Sequence, residues 1–254
     1  MTSLEPIQAI EQFHLLFLAQ LVRGVDKRMV VLKGGCNLRF FHRSVRYSED
    51  MDLDVWEIDT HVLRDKITAI FGSRPFAQIL NARGIDVEHV TEHKQTDTTQ
   101  RWKLGLRTSR GGRPFPTKIE CSRRGIDEGV ELASIDPAIV RAYQLTPLMV
   151  SHYGMAAALR QKVGALAHRS QTQARDIFDL HHLIAAGAGI ESLQTLDRSV
   201  LGHARERATS IDFAIFRSQV LSYLTPEDRA RYDSADAWDT LVLELVERLD
   251  EAGR

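Results

Sequence analysis

The chain of 254 residues is 43% hydrophobic and 26% charged, a composition typical of one large or two modest globular domains. Lysine and arginine number 33 against 34 acidic residues, and this near balance argues against a protein that coats nucleic acid through a general positive charge. The sequence contains no signal-peptide pattern and no apolar run of the about 20 residues that span a bilayer, so we expect a cytoplasmic protein with no membrane partner.

The first predicted elements are a helix, a strand and a glycine turn. Apolar residues recur at three- and four-residue steps over residues 7–22, which predicts an amphipathic helix. The apolar run 29–32 predicts a strand, and Lys33, Gly34 and Gly35 then lead into a short helix. Free N–H groups at such a turn bind anions, and glycine lets the backbone approach a phosphate closely. The turn therefore indicates an anion site.

Three aspartates alternate with apolar residues after that helix. On a strand, Asp50, Asp52 and Asp54 point to one face, and Met51 and Leu53 to the other. Neighbouring carboxylates repel one another unless a cation neutralises them, and Mg²⁺ prefers oxygen ligands. The alternative is an exposed edge strand whose acids prevent pairing with other chains. The glycine turn upstream favours the metal site, since the turn would bind a triphosphate and the acidic strand would bind its metals.

The middle of the chain predicts helices at 60–71 and 75–82, followed by strands at 85–89, 99–108 and 115–121. A hairpin turn at 109–114 joins the last two strands. Several basic side chains lie on this hairpin, and those at odd-numbered positions of its first strand share a face that suits a phosphate backbone. The alternative is that they only solubilise the hairpin. The basic set is Arg101, Lys103, Arg107, Arg110, Arg113 and Lys118.

The pattern weakens between residues 126 and 147, and we place a domain boundary there. It separates an α/β domain of residues 1–145 from a helical domain of residues 146–254, in which no further strand is predicted. In that domain Arg175 and Asp179 have the spacing of a structural ion pair on a helix. The predicted helices cover 150–168, 173–186, 193–207, 211–224 and 235–252, and another begins at Thr225-Pro226.

A resemblance to a known family rests on LKGGCNLRFF (32–41), RYSEDMDLD (46–54), and QKVGAL (161–166) followed by ARDIFDL (174–180). These segments resemble the AbiEii/AbiGii toxins, a branch of the DNA polymerase β-like nucleotidyltransferases. The resemblance implies an α/β fold of the α+β type. Its first part would be a polymerase β-like nucleotidyltransferase domain with a mixed sheet, and a helical domain would follow and close the cleft.

The resemblance also implies a metal site. Ser48, Asp50 and Asp52 correspond to the Ser-x-Asp-x-Asp signature of the family. Asp50 and Asp52 would hold Mg²⁺, for which Mn²⁺ could substitute. The polymerase β-like fold takes a third carboxylate from a neighbouring strand, and Glu120 on the strand 115–121 is the best candidate.

Further implied roles concern the nucleotide. Lys162 would neutralise the β- and γ-phosphates of the NTP, and Asp176 would position that lysine or a substrate hydroxyl. Both therefore join Asp50 and Asp52 as predicted catalytic residues. The predicted nucleotide-binding residues are Lys33, Gly34, Gly35, Ser48 and Lys162.

The implied activity is that of a toxin from a toxin–antitoxin system. It would transfer a nucleoside monophosphate from an NTP to an acceptor hydroxyl, most simply the 3′ end of tRNA, and release pyrophosphate. Its implied partners are tRNA and a cognate antitoxin. In some systems the antitoxin phosphorylates the serine that corresponds to Ser48, which would add negative charge beside Asp50.

Two other functions remain open from the sequence. Transfer to a small molecule such as an aminoglycoside, or to a protein side chain, would use the same site with a different acceptor. A catalytically inert module that binds a nucleotide or an antitoxin belongs to a different class. The intact acidic residues argue against the inert module but leave it open.

Overall fold

The computed structural model describes residues 4–109 and 111–254, and it divides the chain into two compact units. The first unit contains the chain up to Phe41 together with Tyr47–His152, and the second contains His42–Arg46 and Tyr153–Arg254. The short segment His42–Arg46 thus belongs with the C-terminal helices. The predicted domains 1–145 and 146–254 stay a prediction, because compactness alone does not show that either part folds independently.

A seven-stranded mixed sheet forms the centre of the first unit, with the order β3-β4-β5-β2-β1-β7-β6. Strand β2 pairs antiparallel with β1 and parallel with β5, while β4 pairs antiparallel with both β3 and β5. The predicted α/β fold with a mixed sheet is therefore confirmed. The strands are β1 Val30–Lys33, β2 Met51–Val55, β3 Ile85–Gln95, β4 Thr99–Thr108, β5 Phe115–Ser122, β6 Val130–Ser134 and β7 Met149–Tyr153.

Helices cover one face of this sheet. Trp102, Leu104 and Leu106 of β4 are buried in a core to which α1 contributes Phe13 and Phe17. Because side chains alternate along a strand, the odd-numbered residues of β4 lie on the opposite face. The helices of the first unit are α1 Pro6–Gly24, α2 Gly34–Phe41, α3 Thr60–Phe71, α4 Arg74–Ala82 and α5 Pro137–Ala142.

Two strands of the sheet were not predicted. The range 150–168 was predicted as one helix, but β7 occupies Met149–Tyr153 and a helix begins only at Met155. Four of the five residues of β7 are buried, whereas all of β6 is exposed or half-buried. Neither strand alternates between buried and exposed positions, so neither is the half-buried strand that a sequence pattern reveals most readily.

The second unit is helical in the residues described. Two predicted helices, 193–207 and 211–224, are each divided into a 3₁₀ turn and an α-helix. Phe178, Phe216, Tyr232 and Trp238 form its aromatic centre, in which the rings of Phe216 and Trp238 stack 4.3 Å apart. No helix in the described part of the chain is long and apolar enough to cross a membrane. The helices are α6 Met155–His168, α7 Ala174–Ala185, α8 Arg198–Ala208, α9 Phe213–Gln219, α10 Pro226–Tyr232 and α11 Ala235–Ala252.

Candidate active site

The glycine turn and the acidic strand are in direct contact. Helix α2 begins at Gly34, whose φ of +66° is a conformation that only glycine adopts readily. A Cβ added at Gly34 would lie 2.7 Å from Oδ2 of Asp52. Lys33 is the antiparallel partner of Asp52, so the β1–β2 pairing holds the turn against the carboxylate. The two halves of the predicted site are thus brought together, and Gly34 is required both by its φ and by the space it leaves.

A row of charged residues crosses four strands at this point. Asp52 of β2 lies opposite Lys33 on one side and Glu120 of β5 on the other, and Glu120 lies opposite Arg101 of β4. Directly opposed residues of neighbouring strands project to the same face. The structure therefore places Asp52 and the predicted third carboxylate, Glu120, side by side. We call Asp50, Asp52 and Glu120 the acid centre.

Each of the other carboxylates on this face has a basic partner. Asp50 lies 2.8 Å from Nζ of Lys118, and Glu120 lies 2.7 Å from Nε of Arg101. Asp54, one step beyond Asp52 along β2, is 4% exposed and lies 2.5 Å from Nζ of Lys33. Asp54 is thereby neutralised within the sheet. Asp50 and Glu120 remain half-exposed, where an ion pair is easily exchanged for another ligand.

Asp52 is the carboxylate with the least compensation. Burial raises its pKa, repulsion from Asp50 and Glu120 adds to the rise, and Lys118 and Lys33 act in the opposite direction. A carboxylate in this state gains more from an added cation than one that is already paired. The hydroxyl of the signature residue Ser48 donates to the backbone carbonyl of Asp50 at 2.8 Å.

The acid centre fits a hard divalent cation in its chemistry, because it offers only carboxylate oxygens and contains an uncompensated negative charge. Among residues 4–109 and 111–254, however, no three histidine, cysteine, aspartate or glutamate side chains are already gathered as metal ligands. The side chains of Asp50 and Glu120 are turned to Lys118 and Arg101. The assignment of Asp50, Asp52 and Glu120 as metal ligands stays a prediction.

The other two predicted catalytic residues lie in a buried ion cluster of the second unit. Nζ of Lys162 on α6 lies 3.1 Å from Asp176 and 2.6 Å from Asp179, both on α7. Arg46 binds Asp179 with two hydrogen bonds of 2.9 and 2.8 Å, and Arg169 lies 2.8 Å from Asp176. Asp179 thus pairs with Arg46 and Lys162, rather than with Arg175 as the helical spacing predicted.

The ion cluster is deeply buried and nearly balanced in charge. Asp176 and Asp179 are fully buried, Arg46 is 4% exposed and Lys162 is 9% exposed. Burial alone would raise the pKa of Asp179, but the charges of Arg46 and Lys162 outweigh it and lower that pKa well below its usual range. The sequence places Arg46 between the glycine turn and the aspartates, where it could contact a phosphate, but it does not reveal the pair with Asp179, which lies 133 positions away.

The predicted basic face of the hairpin is only partly free. Arg101 and Lys118 bind residues of the acid centre, and Arg107 lies 2.6 Å from Glu88. Lys103 is exposed on the same face of β4, between Arg101 and Arg107. Arg113 is also exposed, while Arg110 and the part of the predicted turn that it occupies lie outside the described residues. Lys103 is therefore the basic side chain of β4 most available to a ligand.

Solved structures show the same overall fold. The crystal structure of JHP933 from Helicobacter pylori matches with a TM-score of 0.57 and 17% identity, over 98% of this chain and 95% of that one. A candidate nucleotidyltransferase from the same organism matches with a TM-score of 0.58 and 19% identity, over 98% of both chains. At these identities the likeness concerns the fold. No curated protein matches the chain.

A family model covers most of the sequence. It matches residues 16–248, a range that includes the glycine turn, the acid centre and the ion cluster. The family is described as the nucleotidyl transferase AbiEii toxin of type IV toxin–antitoxin systems, and such a toxin implies an antitoxin partner. The chain therefore belongs to the AbiEii nucleotidyltransferase toxin family.

Proposed function

We propose that this protein transfers a nucleoside monophosphate from an NTP to an acceptor hydroxyl and releases pyrophosphate. The observation that carries the proposal is the contact between Gly34 and Asp52 within a row that also contains Lys33 and Glu120. A positive-φ glycine at a helix N-terminus offers N–H groups to phosphate, and the adjoining acids offer oxygen ligands to a metal. A nucleoside triphosphate with its divalent metal needs the N–H groups and the carboxylate oxygens to lie close together.

The acid centre would hold the metal. Asp50, Asp52 and Glu120 would supply the oxygen ligands, and a divalent cation would take the place of Lys118 at Asp50 and of Arg101 at Glu120. Bound Mg²⁺ supplies positive charge to the phosphates and to the acceptor oxygen. Lys118 and Arg101 then remain beside the site as free cations. Once released, Lys118 and Arg101 are each available to a phosphate oxygen.

The transfer step exchanges one P–O bond for another. The acceptor oxygen forms a bond to the α-phosphorus, the bond from the α-phosphorus to the bridging oxygen of the β-phosphate breaks, and pyrophosphate leaves with that electron pair. The proton of the acceptor hydroxyl passes to a carboxylate of the acid centre. Asp52 or Glu120 would take this proton, because the two lie side by side in the row of charged residues. Gly34 and Gly35, with Lys33, hold the phosphates in place.

The family resemblance assigns Lys162 to the β- and γ-phosphates and Asp176 to its positioning. The contacts inside the second unit support the second half of this assignment, because Asp176 and Asp179 fix the Lys162 ammonium from two sides. Contact with a phosphate would add an anion to a lysine that already has two carboxylate partners. Lys162 therefore contributes less positive charge than an unpaired lysine would.

The proposed acceptor is the 3′ end of tRNA. Exposed Lys103 lies on the open face of β4, on the same side of the sheet as Arg101 and Glu120. This side of the hairpin carries positive charge toward the acid centre, as a phosphate backbone requires. Weak binding with a shallow salt dependence is expected from so few contacts, because the slope scales with the number of phosphates contacted.

The test incubates the protein with each α-³²P-labelled NTP, Mg²⁺, and either total tRNA, total protein or a panel of aminoglycosides. We expect label in tRNA, no label after periodate oxidation of its 3′ end, and no transfer in EDTA. Asp52→Asn should abolish the transfer, whereas Asp239→Asn, an exposed residue of α11, should not. Label confined to protein or to a drug would overturn the tRNA assignment. Absence of label from every acceptor would leave the inert binding module as the better description.

A further inference from the structure

A buried polar chain lies beneath the acid centre, on the core side of the sheet. His14 of α1 is fully buried, and its Nε2 lies 2.9 Å from Oγ1 of Thr117 on β5. The Thr117 hydroxyl in turn donates to the carbonyl of Glu49 at 2.7 Å. On the other side of the ring, Nδ1 of His14 lies 3.5 Å from Sγ of Cys36, and that sulfur lies 3.3 Å from the carbonyl of Asp50.

These contacts define the tautomer of His14. The Thr117 proton is used toward Glu49, so the Thr117 oxygen accepts from His14, and Nε2 must carry the hydrogen. Nδ1 then carries a lone pair toward the Cys36 thiol, whose single proton serves either Nδ1 or the Asp50 carbonyl and not both. Burial lowers the pKa of His14 to about 3, which keeps the ring neutral at any working pH. The tautomer is therefore set by the contact with Thr117.

The chain ends on two consecutive carbonyls of the segment that enters β2. The Glu49 carbonyl is held through Thr117, and the Asp50 carbonyl accepts from the Ser48 hydroxyl and lies in reach of the Cys36 thiol. Polar groups inside an apolar core are costly unless each has a partner, so this chain has few alternative arrangements. It therefore restrains the backbone from which the Asp50 side chain leaves and β2 begins.

We propose that His14 is a positioning residue of the acid centre, which acts through Thr117 on the carbonyl of Glu49 and packs against Cys36, whose sulfur lies beside the carbonyl of Asp50. In this arrangement three elements, α1, α2 and β5, set the directions of the Asp50 and Asp52 carboxylates from the core side of the sheet. The catalytic consequence of this inference rests on the proposed function. The structural consequence, a restrained segment at residues 48–52, does not.

Two variants of His14 separate positioning from simple packing. In His14→Gln the amide nitrogen lies near the place of Nε2 and can still donate to Thr117, whereas in His14→Asn it lies near Nδ1 and cannot reach. Both variants remove a ring from the same buried place, and His14→Asn also loses the hydrogen bond to Thr117, so it should be the less stable of the two. We expect kcat to fall by at least about 10-fold in His14→Asn, with a raised half-saturating Mg²⁺ concentration, and to recover substantially in His14→Gln.

Amide hydrogen exchange of the metal-free protein supplies a readout that needs no activity. Exchange at residues 49–52 should accelerate in His14→Asn and stay near the wild-type rate in His14→Gln, with α11 unchanged in both. Thr117→Val and Thr117→Ser form a second pair, in which only serine keeps the hydroxyl. Should a His14 variant fail to fold, the threonine pair tests the positioning role on its own.

The outcomes distinguish this inference from the proposed function. Equal exchange at residues 49–52 in the Asn and Gln variants, or in the Val and Ser variants, would overturn the positioning role whether or not the wild type is active. An inactive wild-type protein with the expected exchange pattern would instead overturn the proposed function alone. An active wild type with equal kcat in both members of each pair would show that the segment holds its place without His14.

Discussion

Asp52 in the first unit and Asp179 in the second are both surrounded by charged side chains, yet their pKa values move in opposite directions. The pKa of Asp52 rises because burial and two neighbouring carboxylates outweigh Lys118 and Lys33. The pKa of Asp179 falls because Arg46 and Lys162 outweigh its burial. The same residue types thus produce an unsatisfied negative charge in one unit and a satisfied one in the other.

This difference indicates what each region is built to do. A carboxylate whose charge is not compensated binds an added cation more favourably than a paired one does, so the acid centre is suited to bind and release a ligand. A buried pair whose charges are satisfied tolerates the loss of neither partner, so the ion cluster is suited to hold helices together. The comparison can be tested by changing equivalent side chains in the two regions.

The largest expected effect is on stability, from Asp179→Asn. The change leaves Arg46 and Lys162 buried without their shared carboxylate, and we expect a loss of about 3–5 kcal/mol in the free energy of unfolding. Urea unfolding followed by circular dichroism measures it. Asp250→Asn is the control, because Asp250 binds Arg205 and Arg254 at the surface and should change the stability little. A loss no larger than that of the control would show that the cluster is not structural.

Next is Lys162→Ala, which tests whether the ion cluster also takes part in catalysis. Arg46 and Arg169 still compensate the two aspartates, so the variant should fold with reduced stability. If the family assignment is right, kcat falls by roughly 10²–10³-fold, the usual scale for one preorganised charge. Lys162→Arg should not restore it fully, because a planar fork replaces a point charge.

Turnover for Lys162→Ala should be measured below the melting temperature of the variant, so that unfolding does not mimic a catalytic loss. Arg248→Ala, which removes an exposed partner of Glu251 in the same unit, is the control and should leave kcat unchanged. A Lys162→Ala protein with the kcat of the wild type would confine Lys162 to a structural role.

A smaller effect on stability is expected from Gly34→Ala. An L-residue at a φ of +66° is strained by about 1–2 kcal/mol, and the new Cβ would also displace the Asp52 carboxylate. Gly111→Ala has a similar φ of +75° with open space around it, so it reproduces the strain alone. We expect a loss of stability in Gly34→Ala at least as large as in Gly111→Ala, and loss of nucleotidyl transfer only in Gly34→Ala. Full activity in Gly34→Ala would mean that the turn is not part of the active site.

The smallest effect concerns pH and distinguishes the two aspartates by sign. The folded pKa of Asp52 is raised, so ionised Asp52 costs stability at neutral pH, and this cost disappears as the pH falls below that pKa. Asp52→Asn should therefore have a higher melting temperature than the wild type at pH 7, and the difference should shrink toward acid pH.

Asp179 behaves in the opposite way. Its folded pKa is lowered, so its contribution is complete above the unfolded aspartate value of about 3.9 and is lost as the pH falls below that value. Differential scanning calorimetry of the metal-free wild type and Asp52→Asn between pH 3 and 7 records the trend of Asp52, and the same scan of Asp179→Asn isolates that of Asp179. A difference between the two proteins that does not vary with pH would contradict the raised pKa of Asp52.

Much of the first unit could be predicted from local sequence. Apolar periodicity and the positions of glycine residues predict the helix Pro6–Gly24, the strand before the glycine turn, the strand Met51–Val55 and the strands of the hairpin. The pairing of the glycine turn with the aspartates could also be predicted, because the two segments lie close together in the chain. The last helix, Ala235–Ala252, agrees with its prediction at both ends, since its apolar stripe is regular and a serine caps its start.

The sequence by itself determined the periodic elements, the glycine turn and the family to which the chain belongs, because these depend on neighbouring residues. Only the tertiary structure decided which charges are satisfied. It gave Asp179 a partner 133 positions away, placed Glu120 beside Asp52, and joined His14 to Thr117 across 103 positions. A pKa or a hydrogen bond depends on distances and burial in space, and distant positions of a single sequence carry no local pattern that records them.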